Sequence, residues 1–388
     1  MRRQAVETQP EQEEEVLYRW GEQLSAVEML RRHRDRHGIG IDGIACFDCE
    51  SMPLASFIAK QLGLPYPSTD AIARCRNKAR MRRCWQASDT PCPRSSVAHR
   101  PDEAVRLFHE IDGPCVLKPL TGSGSELVFR VDNEADCRRA FEQVIAGLKA
   151  CRTAPLYRSC KEGQASVLVE ECVEGDEFSC DFLIENRRIR IVRLTKKYRR
   201  RHSPFGTIEA YELSADRPDV CRDSRLAPHL LAAASSLGID RAICMADFIV
   251  CGDGRPKFLE LTPRCGGDCL PSLLKTACDF DVLGLALRFA RGNVRDVAPR
   301  VVKRAVALRL FADRSGVLER TDTTALMADP RVLSVTLTKQ PGARLRLPPA
   351  DYDSWILGHV IYRPDRSCDV HTQNDELTSL FQMRIAEQ

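Results

Sequence analysis

The segment 241–270, RAICMADFIVCGDGRPKFLELTPRCGGDCL, restricts the fold more than any other part of the chain. Two apolar runs flank GDGRP, a cluster of turn-forming residues, so the segment reads as an antiparallel hairpin. Asp247 lies on the first strand and Glu260 on the second, which makes their carboxylates cross-strand neighbours on one face. Glu260, Thr262 and Arg264 occupy alternate positions; alternation is the side-chain period of a strand, so the three are expected to project together. Like charges side by side destabilise a sheet unless a cation lies between them. A hard cation such as Mg²⁺ takes one or two carboxylates together with phosphate oxygens of a substrate, and Thr262 adds a hydroxyl one pleat further on. An isolated pair of acids on a sheet is ordinarily a solvated face, so the reading depends on what accompanies it.

Two other segments supply that company. KPLTGSGS places Lys118 at a strand end, followed by Thr121, Gly122, Ser123, Gly124 and Ser125, whose small side chains leave backbone N–H groups free to approach phosphate oxygens. The loop has neither P-loop nor Rossmann spacing, and Gly and Ser also build ordinary hairpins. VLVEECVEGDEFS is a strand that runs into an acidic turn at Gly175, where carboxylates can accept from ribose hydroxyls and the edge of EECV can read an adenine.

Around these segments the chain alternates helix and strand. Val16, Leu17, Trp20, Leu24, Val27 and Leu30 recur by threes and fours, predicting an amphipathic helix that ends near Gly38. DGIACF reads as a buried strand and PLASFIAKQLGLPYP as a helix closed by Gly63, giving an α/β opening. GPCVLKPLTGSGSELVFRV reads as two strands, followed by a helix capped by Asp132 or Asn133. Further strands with an Asn-Arg turn make the middle an α+β block, and LAPHLLAAASSLGI is another helix. Beyond about residue 295 short strands separated by Gly and Pro predict a small β-rich lobe.

A chain of 388 residues suits two or three domains. Its net charge of +4 is too small and dispersed to indicate a nucleic-acid partner. The one basic run, RLTKKYRRRH, lacks aromatic interleaving for base stacking; most of its charges are expected on a solvated surface loop. Eighteen cysteines without a signal sequence predict free thiols in the cytoplasm. Neither the Cys46–Cys49 nor the Cys265–Cys269 spacing has the partner ligands a zinc site needs. No apolar run approaches the roughly 20 residues required to cross a bilayer, so no membrane partner is expected.

Taken in order, the Lys within RNKARMR, the Lys of VLKP before a Gly and Ser loop, VLVEECVEGDEFS, and ADFIV with FLELTPR resemble the ATP-grasp superfamily, especially its carboxylate–amine ligases. The resemblance spans roughly residues 43 to 295. It implies an ATP-grasp fold of α/β and α+β units: a shortened N-terminal α/β domain at 1–74, the ATP-grasp domain at 75–295 and a β-rich C-terminal lobe at 296–388. In that resemblance Lys78, Lys118 and Lys197 hold phosphates beneath a flap of Gly122, Ser123, Gly124 and Ser125. Glu170 and the backbone of Glu171, Cys172 and Val173 meet the adenine, and Glu177 the ribose. Asp247, Glu260 and Thr262 carry Mg²⁺, with Mn²⁺ as an alternative, while Arg264 and Lys118 act on the transferring phosphoryl group. The implied reaction activates a carboxylate as an acyl phosphate and joins it to an amine. Amino acids are among the implied substrates, and the family admits a homodimer.

The sequence departs from the family in two places. Thr262 stands where Asn is usual, a poorer ligand for Mg²⁺, and the N-terminal region lacks a strand and a βα unit. Two alternatives therefore stay open: an ATP-binding regulatory or scaffold protein that has lost turnover, and a bicarbonate-activating carboxylase of the same superfamily.

Overall fold

The computed structural model describes Val16 and residues 23–150, 166–201, 203–294 and 297–387. The first elements are all helical: α1 (Gln23–His37), α2 (Met52–Leu62), α3 (Thr69–Arg76) and α4 (Lys78–Ala87). α1 ends at Gly38 as expected, with Leu24, Val27 and Leu30 inside it; Leu17 and Trp20 lie outside the described residues. Gly63 closes α2 with φ +68°, a left-handed conformation that costs glycine little. Asn77 ends α3 and starts α4, its side chain accepting from the Arg80 N–H.

DGIACF is not a strand. A Cβ placed on Gly43 would lie 2.3 Å from the Ala290 carbonyl oxygen, so this backbone is pressed against a helix and has no strand to pair with. Before Ser95 the described residues contain no strand.

The middle of the chain supplies β1 (Ser95–Ala98), α5 (Pro101–Ile111), β2 (Cys115–Pro119), β3 (Phe129–Val131), α6 (Glu134–Ala150) and β4 (Val167–Glu171). Its strands form an antiparallel sheet in the order β1-β4-β2-β3. α5 and α6 cover one face, burying Leu107, Phe141 and Val144 against Leu117, Val131 and Val169. The predicted cap is Asn133, which accepts from the Asp136 N–H at 2.9 Å.

Next come β5 (Asp176–Glu185), β6 (Arg188–Arg199), β7 (Ile208–Leu213), α7 (Asp223–Ser236), β8 (Arg241–Val250), β9 (Pro256–Thr262), α8 (Leu270–Cys278) and α9 (Val282–Ala290). The last part adds β10 (Ala305–Phe311), β11 (Gly316–Asp322), α10 (Thr324–Ala328), β12 (Val332–Leu337), β13 (Arg344–Leu345), β14 (Ile356–Tyr362), α11 (Val370–Ser379) and β15 (Gln382–Ala386). Eight of these strands form one sheet, β12-β14-β10-β7-β6-β5-β8-β9, and β13-β11-β15 form a smaller one. The β-rich tail thus continues the central sheet: Ala305 pairs with Leu213 across β10 and β7.

The two faces of the large sheet differ. On one, Phe178, Phe182, Phe248 and Phe258 pack against Trp85 of α4 and Leu226 and Leu230 of α7. On the other, α8 and α9 cover Leu183, Leu213, Ile243 and Ala307. The uncovered remainder of that second face carries Glu177, Lys197, Asp247 and Glu260 and bounds a cleft with the four-stranded sheet.

From Arg193 to Arg199 the basic run is part of β6, contrary to the expected solvated loop. Arg193 is wholly buried, its fork bonded to both oxygens of Asp181 at 2.9 and 3.0 Å. Lys196 pairs with Asp176 at 2.8 Å, and Arg200 lies over the rings of Phe311 and Trp355. β5 supplies the acids for Arg193 and Lys196, and Phe311 of β10 and Trp355 before β14 supply the rings for Arg200, partners that the charge pattern alone does not reveal.

Candidate active site

The β8–β9 hairpin sets the site. Asp247 and Glu260 are direct register partners, so their side chains share one face as the alternation predicted. Beside them the register shifts, and the displaced Leu259 carbonyl accepts from Arg82 Nη2 at 2.8 Å. Thr262 pairs with Met245 on the same face. Arg264 lies two residues past the end of β9 and leaves the strand's alternation.

Cations surround the two acids. Lys197, on β6, is buried between Glu177 at 2.6 Å and Asp247 at 2.9 Å. Burial opposes its charge, but Asp247 and Glu177 outweigh that and hold its pKa above the usual lysine range. Lys78, the first residue of α4, lies 3.6 Å from Glu260. Burial pushes the Glu260 carboxyl up, yet Lys78, Arg264, Lys118 and Lys197 together bring it below the usual carboxylate range. Two oxygens remain without partners: Asp247 Oδ1 and Thr262 Oγ1 are both buried and unbonded. An unsatisfied buried acceptor costs roughly 1–3 kcal/mol, and a cation binding here would relieve it.

Lys118, on β2, and Arg82, one helical turn beyond Lys78, both grip the buried Glu170. Burial pushes the Glu170 carboxyl up, and the two cations more than offset it; burial also lowers the Lys118 pKa against the pull of Glu170. Lys78 ties α4 to the Gly and Ser loop, donating Nζ to the Gly122 carbonyl at 2.9 Å. The far side of the loop is anchored by Ser125 Oγ, which donates to the Gly206 carbonyl at 2.7 Å. Gly124 has φ +67°, and a Cβ added to it would meet no atom within 4 Å, so the loop is unpacked at that point.

At the end of β4 the backbone is partly committed. The N–H groups of Glu171 and Cys172 donate to the Arg94 and Pro114 carbonyls, both at 2.9 Å, and the Glu171 carboxylate holds Lys257 at 2.7 Å. Among the described residues the Val173 N–H has no such backbone partner, which makes it the donor of this segment available to a ligand. Glu177 already accepts from Lys197 and Arg199, using one oxygen for each.

All the predicted site residues except Arg264 and Thr262 line a single cleft between the two large sheets. Thr262 is buried beneath it, and Arg264 lines an adjoining cavity. Sequence reasoning missed Arg82, Arg199 and Phe205. Arg82 has a legible signal, its four-residue spacing from Lys78; Phe205 lies in a connection without periodicity. It also missed Cys49, whose thiol accepts from both Nε and Nη2 of Arg264 at 3.2 Å. Among the described residues no group of three or more His, Cys, Asp and Glu side chains could hold a metal, so any ion in the cleft must share its shell with other oxygens.

Residues 111–272 match the ATP-grasp domain family. An uncharacterised protein of Sinorhizobium fredii is 27% identical over 319 residues, covering 80% of this chain and 61% of its own length. A D-alanine–D-alanine ligase of Acidovorax ebreus is 23% identical over 238 residues, covering 58% of this chain and 66% of that enzyme. The chain thus spans less than two thirds of the length of either relative. The L-amino acid ligase from Bacillus licheniformis superposes with a TM-score of 0.73 at 19% identity, covering 95% of this chain and 86% of that one; at that identity the likeness shows a shared fold. The matched segment holds both the lysine-bearing β2 and the acid-bearing hairpin, so residues 111–272 form an ATP-grasp domain.

Proposed function

We propose that the protein is an ATP-dependent ligase that activates a carboxylate as an acyl phosphate and joins it to an amine, releasing ADP and phosphate. The observation that carries this reading is the Asp247–Glu260 pair in the cleft that Lys78, Lys118 and Lys197 also line, with Asp247 Oδ1 unsatisfied there and Thr262 Oγ1 unsatisfied beneath it. That donor set suits Mg²⁺, which takes few protein oxygens and fills its shell from phosphates. When bound, the ion supplies neutralisation of charge on the transferring phosphoryl group.

The chain's own residues do the positioning. Lys78 and Lys118 hold the phosphates, and the loop from Gly122 to Ser125 covers them. The Val173 N–H reads the adenine beside Glu170, and the free lone pairs of Glu177 accept from the ribose. Arg264 faces the reacting carboxylate. A carboxylate oxygen attacks the γ-phosphorus and ADP leaves; the amine nitrogen then attacks the acyl carbon, phosphate departs and the nitrogen loses a proton. No side-chain nucleophile is required, because orientation alone contributes up to roughly 7–11 kcal/mol.

The named activities of the D-alanine and L-amino acid ligases support amino acids as substrates. The sixteen described cysteines are all free, which supports a cytoplasmic location, and among the described residues no helix is long and apolar enough to cross a membrane. The division at residues 74 and 295 and a homodimer belong to the same proposal.

The test pairs carboxylates with amines in the presence of ATP and Mg²⁺ and measures ADP and the mass of the conjugate. A conjugate formed in step with ADP is the expected result. Nucleotide binding without ADP for any pair would favour a regulatory or scaffold role, the reading that Thr262 supports.

A further inference from the structure

The sheet face that carries Asp247 continues along β8 through Met245 to Ile243, about 13 Å away at the strand rise, and ends in a second cavity. Ile243 forms its floor, Ala286 and Phe289 of α9 one wall, and Ile44 and Tyr66 of the N-terminal region the other. Two charged residues line it. Arg241 is committed elsewhere, bonded to Glu185 at 3.0 Å and to the Phe289 carbonyl at 2.6 Å.

Arg264 is only partly committed. Its Nε and Nη2 donate to Cys49 Sγ, and its Nη1 to the Cys265 carbonyl at 2.8 Å. A guanidinium has five N–H donors, so one remains on each terminal nitrogen, a fork that matches a carboxylate. The Tyr66 hydroxyl is buried in the same cavity without a partner at hydrogen-bond geometry.

We infer that this cavity is the side-chain subsite for the carboxylate substrate, which is a small acid with a compact apolar side chain, such as an aliphatic amino acid. The inference rests on the ligase reading and adds the substrate class. With its carboxylate on the Arg264 fork, the substrate presents its reactive oxygens toward Glu260 and its side chain toward Ile243 and Phe289. A charged side chain would be stripped of water there without a counter-charge, since Arg241 already has partners. Each methylene too many or too few changes selectivity by about 10–200-fold in such a pocket.

The test is saturation-transfer NMR with valine, leucine, glutamate and lysine, with Mg²⁺ and a non-hydrolysable ATP analogue present. Leucine and valine methyls should receive saturation, and glutamate and lysine should bind at least tenfold more weakly. Ala286→Phe fills the cavity from a half-buried position and should weaken leucine binding at least tenfold, with nucleotide affinity unchanged; Ala45→Leu does the same from the opposite wall should the first variant not fold. Glutamate or lysine binding as well as leucine, no transfer to any of the four, or leucine binding indifferent to both folded variants would overturn the inference. Conjugate formation is measured in parallel. Leucine held in the cavity without conjugation refutes the ligase reading alone, whereas conjugation insensitive to the cavity refutes the subsite alone.

Discussion

Glu260 keeps its charge inside the protein because four cations face it, and its loss should separate chemistry from folding. Glu260→Ala is predicted to reduce metal-dependent ADP formation by about 10²–10³-fold, the scale of removing one preorganised electrostatic group, with circular dichroism unchanged. Unchanged turnover would remove Glu260 from the mechanism. Arg82 acts on stability: Arg82→Met removes one of the two cations on a buried carboxylate, and should cost about 3–5 kcal/mol in urea denaturation. Glu170 gives the pH dependence. Its folded pKa lies below its ordinary 4.5, so the stabilisation is complete above that value and is lost as pH falls through the lower folded value. Glu170→Gln should therefore be less stable at neutral pH and flatter below about pH 4.5; an unaltered acid limb would contradict the assigned direction. The partnership of Asp247 and Glu260 was legible because strand period and turn chemistry fix it locally. The spacing of Arg82 from Lys78 places it on the same helix face, but its partner was not legible, since an arginine in RNKARMRRCW reads as a solvated helix charge until a distant strand brings Glu170 to it.

Among the elements, those with local signals were readable, and those decided by distant packing were not. The β5–β6 turn at Asn186 and Arg187, both at positive φ, follows from the Asn-Arg pair. The β8–β9 hairpin follows from GDGRP. DGIACF carries a strand's composition yet forms none, because its backbone lies on α9 at Gly43. Gly43→Val should accordingly lower stability by about 1–3 kcal/mol, since a side chain there meets the Ala290 backbone. A neutral result in chemical denaturation would mean that this contact yields at little cost. The basic run misleads in the opposite sense: its charges suggest water, but strands on both sides supply acids and rings for Arg193, Lys197 and Arg200. Arg264 shows the limit of counting by twos, because β9 ends at Thr262 and the chain turns before the arginine.

At the scale of the whole molecule, the cleft exists because a four-stranded sheet faces the bare part of an eight-stranded one. The order of segments made that arrangement legible. The continuation of the large sheet into β10, β14 and β12 was not, since strand neighbours far apart in sequence leave no local trace. The central claim is that acids on adjacent strands grip a divalent ion beneath a nucleotide's phosphates, and a ligand bound only by the folded state stabilises it by RT ln(1 + [L]/Kd), about 2.7 kcal/mol at a hundredfold excess over Kd. Isothermal titration calorimetry of ATP with and without Mg²⁺, on the wild-type protein and on Asp247→Asn, tests the claim most directly. Binding that weakens at least tenfold both on removing Mg²⁺ and in the variant is the predicted result. Equal affinity in all conditions, or no nucleotide binding at all, would contradict it.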